Sequence, residues 1–470
     1  MNKIVFVQKE IEDKLGPMIL TAYLKYHGYN AEILMNPEKN IKELKDKNPE
    51  FVGISLCSPS IDWTLSTARY IKKNLPGAKI ILGGPHPTFF PQVVEQSDID
   101  IVCVGEGEKP LLQLLKNYDG SMSSIKDVPN LWIKDGDSIV KNEVGQLLTE
   151  AELSELPFSD RSHYEKYASL RNNPHKKVWT SRGCPFNCSY CFNHAYKKIY
   201  QGHGKIIRQR SVNSVIEEIK ELKKYGWKTL EIIDDQFLLS KDWVREFCER
   251  YKKEIARSFA CISSAKQIDR EVVGLLKDAG CRIMYFAIES GVEKIRREIY
   301  GKPITDKDVY KAADALNYHN MSFVTFNMIG LPDETLEDIY ATIKMNQNIK
   351  ATYPVCSILQ PYPGTRIAEI IREQTGKDFG SKFTYSYFQS SIIDDPVKRR
   401  LFNNAQKLFG YCVKSNIEYD KFVSLVKDPV LNIDKLYPLV FYWNFGRDIK
   451  TRYGISWLSL FRYWLYSKRG

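Results

Sequence analysis

The chain has 470 residues and a formal net charge of +11, with 43% hydrophobic and 27% charged residues. That is two or three domains of ordinary globular composition, which excludes a low-complexity chain. No run of about 18 apolar residues occurs, so no segment is expected to span a bilayer, and the basic charge is spread without a long block, so it does not demand nucleic acid.

The start, Met1-Asn-Lys-Ile-Val-Phe-Val7, is too short an apolar stretch for a signal peptide and predicts a first strand. The ten cysteines form no regular disulfide framework, and a reducing cytosol is the expected setting. Leu15-Gly16-Pro17 opens a helix that Gly28 stops. Further strands are expected at Ala31–Leu34, Phe51–Leu56, Lys79–Leu82 and Ile99–Val104, with helical patterns between them. Strands alternating with helices predict a parallel sheet covered on both faces, with ligands beyond the carboxyl ends of the strands. The small and turn-prone residues fall there: Ser55 and Ser58, Gly83-Gly84-Pro-His86-Pro-Thr88, and Gly105-Glu106-Gly-Glu108.

Residues 126–174 predict a linker containing a hairpin turned at Asp135-Gly136. A short strand, Lys177–Thr180, then feeds Cys184-Pro-Phe-Asn-Cys188-Ser-Tyr-Cys191. Three thiolates this close on one loop must converge on one centre. A closed zinc site wants four ligands, for which His194 is the candidate. An ordinary iron–sulfur cube also wants four cysteines, so three leave one iron open to a substrate. Later strands are expected at Thr229–Ile233, Ser258–Ile262, Arg282–Ile288, Ser322–Ile329 and Val355–Leu359. With the first, they make six β/α units, a partial barrel whose chemistry belongs at the carboxyl ends of its strands. Polar residues cluster at those ends: Asp234-Asp235, Glu289-Ser290-Gly291, Gly330 to Glu334, and Gln360 to Gly364. Cys248, Cys261, Cys281 and Cys356 lie among apolar residues as small core fillers. Beyond Lys398–Lys414, a predicted helix, the chain from Tyr437 onward interleaves Trp, Tyr and Phe with Arg and Lys. That pattern suits a helical cap or a membrane interface.

The triplet, with Tyr190 ahead of its last cysteine, resembles the signature of the radical S-adenosylmethionine (SAM) enzymes. The resemblance implies a [4Fe–4S] cluster on Cys184, Cys188 and Cys191 whose free iron chelates SAM. It further implies that Asp234 or Asp235 receives the SAM amino group. Glu289 would meet the ribose, with Ser290 beside it among the cofactor contacts, Ile329 and Gly330 would flank the adenine, and Arg208 and Arg210 would pair with the carboxylate. Position 264 is serine, where relatives often carry arginine. The Leu-Gly-Pro start, the Gly83–Thr88 turn and the Gly105–Glu108 turn resemble the cobalamin-binding domain that precedes the radical SAM domain in one large group. That implies cobalamin contacts at Ser55, Ser58, Gly83, Gly84, His86, Thr88, Gly105 and Glu106. The Asp-x-His-x-x-Gly motif that supplies a cobalt ligand elsewhere is absent, so no such lower histidine is expected; a domain without cofactor is the alternative.

The fold class implied is α/β. A Rossmann-like cobalamin-binding domain (1–125) and the linker precede a partial (β/α)6 radical SAM barrel (175–385) and a helical C-terminal domain (386–470). The activity implied is radical methylation of an unactivated carbon in a small-molecule or lipid-like substrate. One SAM would methylate the cobalt, and a second would give the deoxyadenosyl radical. Cyclisation or ring rearrangement without methyl transfer is the alternative, and a non-catalytic iron–sulfur or zinc protein is the third. Methylthio transfer ranks low, because only Cys57 and Cys103 precede the triplet. A low-potential donor such as flavodoxin or ferredoxin is the expected partner. The expected location is cytoplasmic; peripheral contact of the C-terminal stretch with the inner membrane face is the alternative to its packing as a cap.

Overall fold

The computed structural model describes residues 3–9, 11–376 and 395–428. The chain divides into two compact units, Met1–Cys184 with Phe192–Trp227, and Pro185–Cys191 with Lys228–Gly470.

The first unit is built on β1 (Lys3–Gln8), β2 (Asn30–Met35), β3 (Phe51–Ser55), β4 (Lys79–Gly83), β5 (Ile101–Cys103), β6 (Leu131–Asp135) and β7 (Ser138–Lys141). Their order is β2-β1-β3-β4-β5-β6-β7. Successive side chains of a strand point to opposite faces, and β1 shows why its run is apolar throughout. Ile4 and Phe6 enter one core, while Val5 and Val7 enter another on the opposite face. Gly53 lies beside Phe6 in the register of β3 on β1, and a Cβ there would sit 2.5 Å from the ring, so only glycine fits. The first five strands are parallel, and their order reverses between β1 and β3, the switch point where doubly wound sheets place ligands.

The hairpin expected in the linker is part of this sheet. β6 pairs antiparallel with β5, Ile101 opposite Ile133 and Cys103 opposite Leu131, and Gly136 turns the hairpin at φ +60°. Leu131 and Ile133 are fully buried, and that burial is what holds the segment on the sheet. Two short pieces follow the strand β8 (His175–Val178): β9 (Ser181–Arg182) and β10 (Arg208–Gln209), paired antiparallel with Arg182 opposite Arg208.

The second unit holds five parallel strands that neighbour one another in chain order. They are β11 (Thr229–Ile232), β12 (Ser258–Ile262), β13 (Cys281–Glu289), β14 (Ser322–Ile329) and β15 (Tyr353–Ile358). The helices Lys241–Glu254, Arg270–Ala279, Asp306–Tyr318 and Leu336–Asn348 return the chain between them. Each starts on a side-chain cap, Ser240, Asp269, Thr305 and Thr335, which satisfies a backbone N–H that the helix cannot. The helices Pro396–Lys414 and Tyr419–Lys427 share a core with this sheet. Phe402, Phe409, Cys412 and Phe422 pack with Ile329, Ile343 and Cys356, and Gln406 Nε2 donates to the Cys356 carbonyl at 2.9 Å. The described C-terminal helices therefore complete the second unit and do not enclose a core of their own. The aromatic, basic stretch beyond Tyr437 lies outside the described residues. Among the described residues no helix is long and apolar enough to cross a membrane.

Candidate active site

The cysteine loop is fastened into the second unit by its backbone. Ser189 N–H donates to the Tyr300 carbonyl at 2.8 Å, and the Ser189 hydroxyl donates to the Ile299 carbonyl at 2.7 Å. Ile367 N–H reaches the Ser189 carbonyl at 2.9 Å, and Cys191 N–H reaches that of Cys188 at 3.1 Å. The receiving turn ends a π-helical turn, Ile295–Ile299, a form that recurs at functional sites. Gly301, at φ +59°, would place a Cβ 3.3 Å from the Asn187 carbonyl oxygen. Cys184 and Cys188 are buried and Cys191 is half-buried; none of the ten cysteines is in a disulfide. Among the described residues no three His, Cys, Asp or Glu side chains are gathered closely enough to hold one metal ion. A cube presents its iron corners farther apart than the bonds around one ion. The donor set, three sulfurs on a loop whose shape is fixed by other atoms, fits such a cluster.

Glu289 ends β13 at φ +70°, and the pairing with β14 slips between Ala287 and Glu289. A bulge and a left-handed residue at a strand end re-aim a side chain. The carboxylate is buried and accepts from Tyr190 Oη at 2.6 Å and from Lys302 Nζ at 2.8 Å, both through Oε1. Burial and the Glu289 charge push Tyr190 well above its ordinary value, so its hydroxyl remains a donor. Ser290 is fully buried, and its carbonyl receives Arg296 Nη1 at 2.5 Å.

The other expected SAM contacts follow their strands on the same edge of the sheet. Asp234, buried, and Asp235, exposed, follow β11. Ser263 and Ser264 follow β12, where Gln236 Oε1 accepts from Ser264 N–H at 2.8 Å. Ser264 Oγ is buried with no hydrogen-bond partner, an open polar site where the sequence departs from its resemblance. Gly330 follows β14 at φ +117°. Ile329 is fully buried in the core shared with the C-terminal helices, so its side chain is not available to an adenine ring.

Glu334 fixes the Gly330 turn. Its Oε2 accepts from the N–H groups of Gly330 (2.5 Å) and Leu331 (3.1 Å), while Oε1 is buried without a partner. Burial raises its carboxyl from the ordinary 4.5 to about 7 against those two donors. Between these values the folded chain keeps a proton that the unfolded chain has released, so stability falls as pH rises through that window. In chemical denaturation, the stability of wild type relative to Glu334→Gln should decline between pH 4.5 and 7 and hold level above 7.

The arginines expected on the SAM carboxylate are committed elsewhere. Arg208 is 1% exposed and forks onto Glu106, Nη1 to Oε2 at 3.0 Å and Nη2 to Oε1 at 2.7 Å. Arg210 is equally buried and donates to Glu218 at 2.6 Å, to the Trp179 carbonyl at 3.0 Å and to Ser214 Oγ at 2.9 Å. The partner of Arg208 lies 102 residues away, which spacing alone does not reveal. Arg210 finds Ser214 and Glu218, four and eight residues on, inside the helix that follows it.

At the carboxyl ends of the first sheet, the Gly83–Thr88 and Gly105–Glu108 turns are tied together. Thr88 Oγ1 donates to the Gly84 carbonyl at 2.8 Å and accepts from Gly105 N–H at 3.0 Å. Ser58 Oγ lies 2.9 Å from His86 Nδ1. Burial lowers His86 to about 4, so the ring is neutral at pH 7. Gly84 packs against Ser55 Oγ and Leu56. A Cβ added at Gly83 would meet only Cys103 Cβ, at 4.0 Å, which leaves that strand end open to a bulky ligand. Glu106 is not available to such a ligand: it holds Arg208 and Arg182. Gly105, too, faces the protein, since a Cβ there would overlap Tyr200 Oη at 1.9 Å. These two expected cobalamin contacts are therefore internal ones.

The strand edge of the second unit and the switch-point sheet of the first define a two-part cofactor enzyme. Residues 179–345 match the family model of the Radical SAM superfamily, and residues 2–115 match that of the B12 binding domain. The chain belongs to the radical SAM superfamily, in the group whose radical SAM domain follows a B12 binding domain. Membership brings a [4Fe–4S] cluster, SAM and cobalamin, with a small-molecule substrate and a reductant. The chain is similar to an uncharacterised methyltransferase of Pyrococcus horikoshii, 32% identical over 337 residues, 70% of either chain. It is 25% identical over 389 residues to the anaerobic magnesium-protoporphyrin IX monomethyl ester cyclase of Cereibacter sphaeroides, covering 79% of this chain and 61% of that one. Its fold is that of the radical SAM methyltransferase TsrM from Kitasatospora setae, solved with cobalamin and a [4Fe–4S] cluster bound. That likeness has a TM-score of 0.65 at 19% identity and covers 84% of this chain and 82% of the other.

Proposed function

We propose that this enzyme transfers a methyl group from SAM to an unactivated carbon of an apolar small molecule. The 32% identity to a methyltransferase over 70% of the chain carries this reading. When bound, the cofactors supply a reducing electron, a hydrogen-abstracting radical and a transferable methyl group. The protein holds and shields them. Cys184, Cys188 and Cys191 would bind the cluster, and Glu289, aimed by Tyr190 and Lys302, would take the SAM ribose. Asp234 or Asp235 would take the amino group, and the Gly330 turn would receive the adenine through its backbone. The Gly83 strand end, with Ser55 and Ser58, would face cobalamin. A low-potential donor such as flavodoxin or ferredoxin would reduce the cluster.

An apolar substrate is supported by an apolar cluster drawn from the strands of the second sheet alone. Ala260, Ile283, Tyr285, Val324 and Tyr353 form it, with Ile262, Phe326 and Val355 half-buried beside them. Tyr285 and Phe326 stack at a centroid distance of 6.0 Å and a 10° angle. The test is incubation of the anaerobically reconstituted enzyme with a small-molecule extract and SAM labelled in its methyl group. A product heavier by the labelled methyl is expected. A product that carries no label yet requires SAM supports ring formation instead, the activity named for the Cereibacter sphaeroides relative.

A further inference from the structure

We propose that the Gly105–Glu108 turn is the clamp that sets where the cysteine loop leaves the first unit, with Glu106 as its positioning residue. Arg182 stands two residues ahead of Cys184, and β9 and β10 place it opposite Arg208. Two guanidinium groups side by side repel, and burial makes the repulsion worse unless acids answer them. The turn supplies both acids. Glu106 binds Arg208 through two bonds and Arg182 Nη1 at 3.1 Å, and Glu108 binds Arg182 Nη2 at 2.5 Å. Arg182 also lies over the Trp179 ring at 4.8 Å.

The turn is held from behind by Tyr200. Its hydroxyl accepts from Glu106 N–H at 3.0 Å and from Asn130 Nδ2 at 2.9 Å, and position 105 has to be glycine to let it in. Glu106 itself is well anchored: burial alone would raise its carboxyl, yet Arg182 and Arg208 hold it at about 2. The same turn begins at the end of β5, on the edge where cobalamin is expected. One short segment thus ends the corrinoid-side sheet and grips the stem of the iron-binding loop.

This inference rests on both cofactors being bound, and the experiment separates the two questions. Full-length wild type and Glu106→Gln are purified anaerobically, reconstituted with iron and sulfide, and loaded with hydroxocobalamin. Each is assayed for melting temperature, corrinoid absorbance, iron retained against a chelator, and the EPR signal of the reduced cluster with and without SAM. Wild type without corrinoid or cluster would sink the functional reading. Given loaded wild type, Glu106→Gln should keep its corrinoid and lose iron about tenfold faster, the order of effect of one charge-assisted hydrogen bond. Its SAM-induced EPR change should be broadened, and Glu106→Asp should restore part of it. Selective loss of corrinoid with an unchanged cluster would overturn the clamp, as would no change in either. If Glu106→Gln does not fold, Tyr200→Phe loosens the same turn with every charge in place and is judged by the same outcomes.

Discussion

Alanine at Cys184, Cys188 or Cys191 should abolish deoxyadenosine production and iron–sulfur absorbance while leaving the fold standing. The loop that carries Cys188 and Cys191 owes its shape to backbone bonds from Ser189 to Tyr300 and Ile367, none of which involves a thiol. Removing one sulfur therefore takes away a third of the protein's grip on the cluster without releasing the loop. Burial pushes the Cys188 thiol up, so it becomes a thiolate only with a cation to bind. The four cysteines of the barrel strands and helices give the opposite result. Cys248, Cys261, Cys281 and Cys356 are at most 4% exposed, and Cys261 Sγ touches Cys281 Sγ and Met284 Sδ at 4.0 and 3.9 Å. Their alanine variants should bind iron like wild type and lose about 1 kcal/mol or more of stability through the void left behind. Iron per chain and melting temperature, measured on the seven variants, separate the two groups. An iron-replete Cys188→Ala with full deoxyadenosine output would remove the basis of the functional assignment.

Much of this molecule was legible in its sequence because local pattern and global fold agree. The strands of both sheets lie where apolar runs end in glycine or polar turns, and the cysteine triplet needs no tertiary information to be seen. What failed were inferences about partners. Arg208 and Arg210 have the right chemistry for a carboxylate, but they found Glu106 and Glu218 first. Glu106 sits in a turn of the right composition for a ligand, yet its two arginines come from residues 182 and 208. The hairpin at 131–141 has linker-like flanks, and only the pairing of Leu131 with Cys103 reveals it as sheet. Lys302 and Tyr300 were invisible for the same reason. Nothing near Tyr300-Gly-Lys302 signals a site, and their importance comes from the loop laid on top of them.

Lys302→Met is the substitution outside the cysteines with the largest expected effect. The Lys302 side chain is as buried as that of Glu289, which it contacts, and it also lies 3.4 Å from Tyr190 Oη. Methionine keeps the length of the stem and deletes the ammonium. The Glu289 carboxylate is then buried with Tyr190 as the donor left from this trio. Breaking a buried pair by removing one partner costs about 3–5 kcal/mol, because the remaining charge has no compensation. The chain can avoid that cost by turning Glu289 out of its left-handed position at the strand end. That escape removes the acceptor proposed for the ribose hydroxyls. SAM affinity should fall by two orders of magnitude or more, on the order of 3 kcal/mol, while iron content stays at the wild-type level, since no thiol is altered. Lys302→Arg, which keeps a cation, should lie between the two. Equilibrium SAM binding to the reduced and oxidised cluster measures all of this, and SAM binding unchanged in Lys302→Met would show that the Tyr190–Glu289–Lys302 trio serves only to hold the loop.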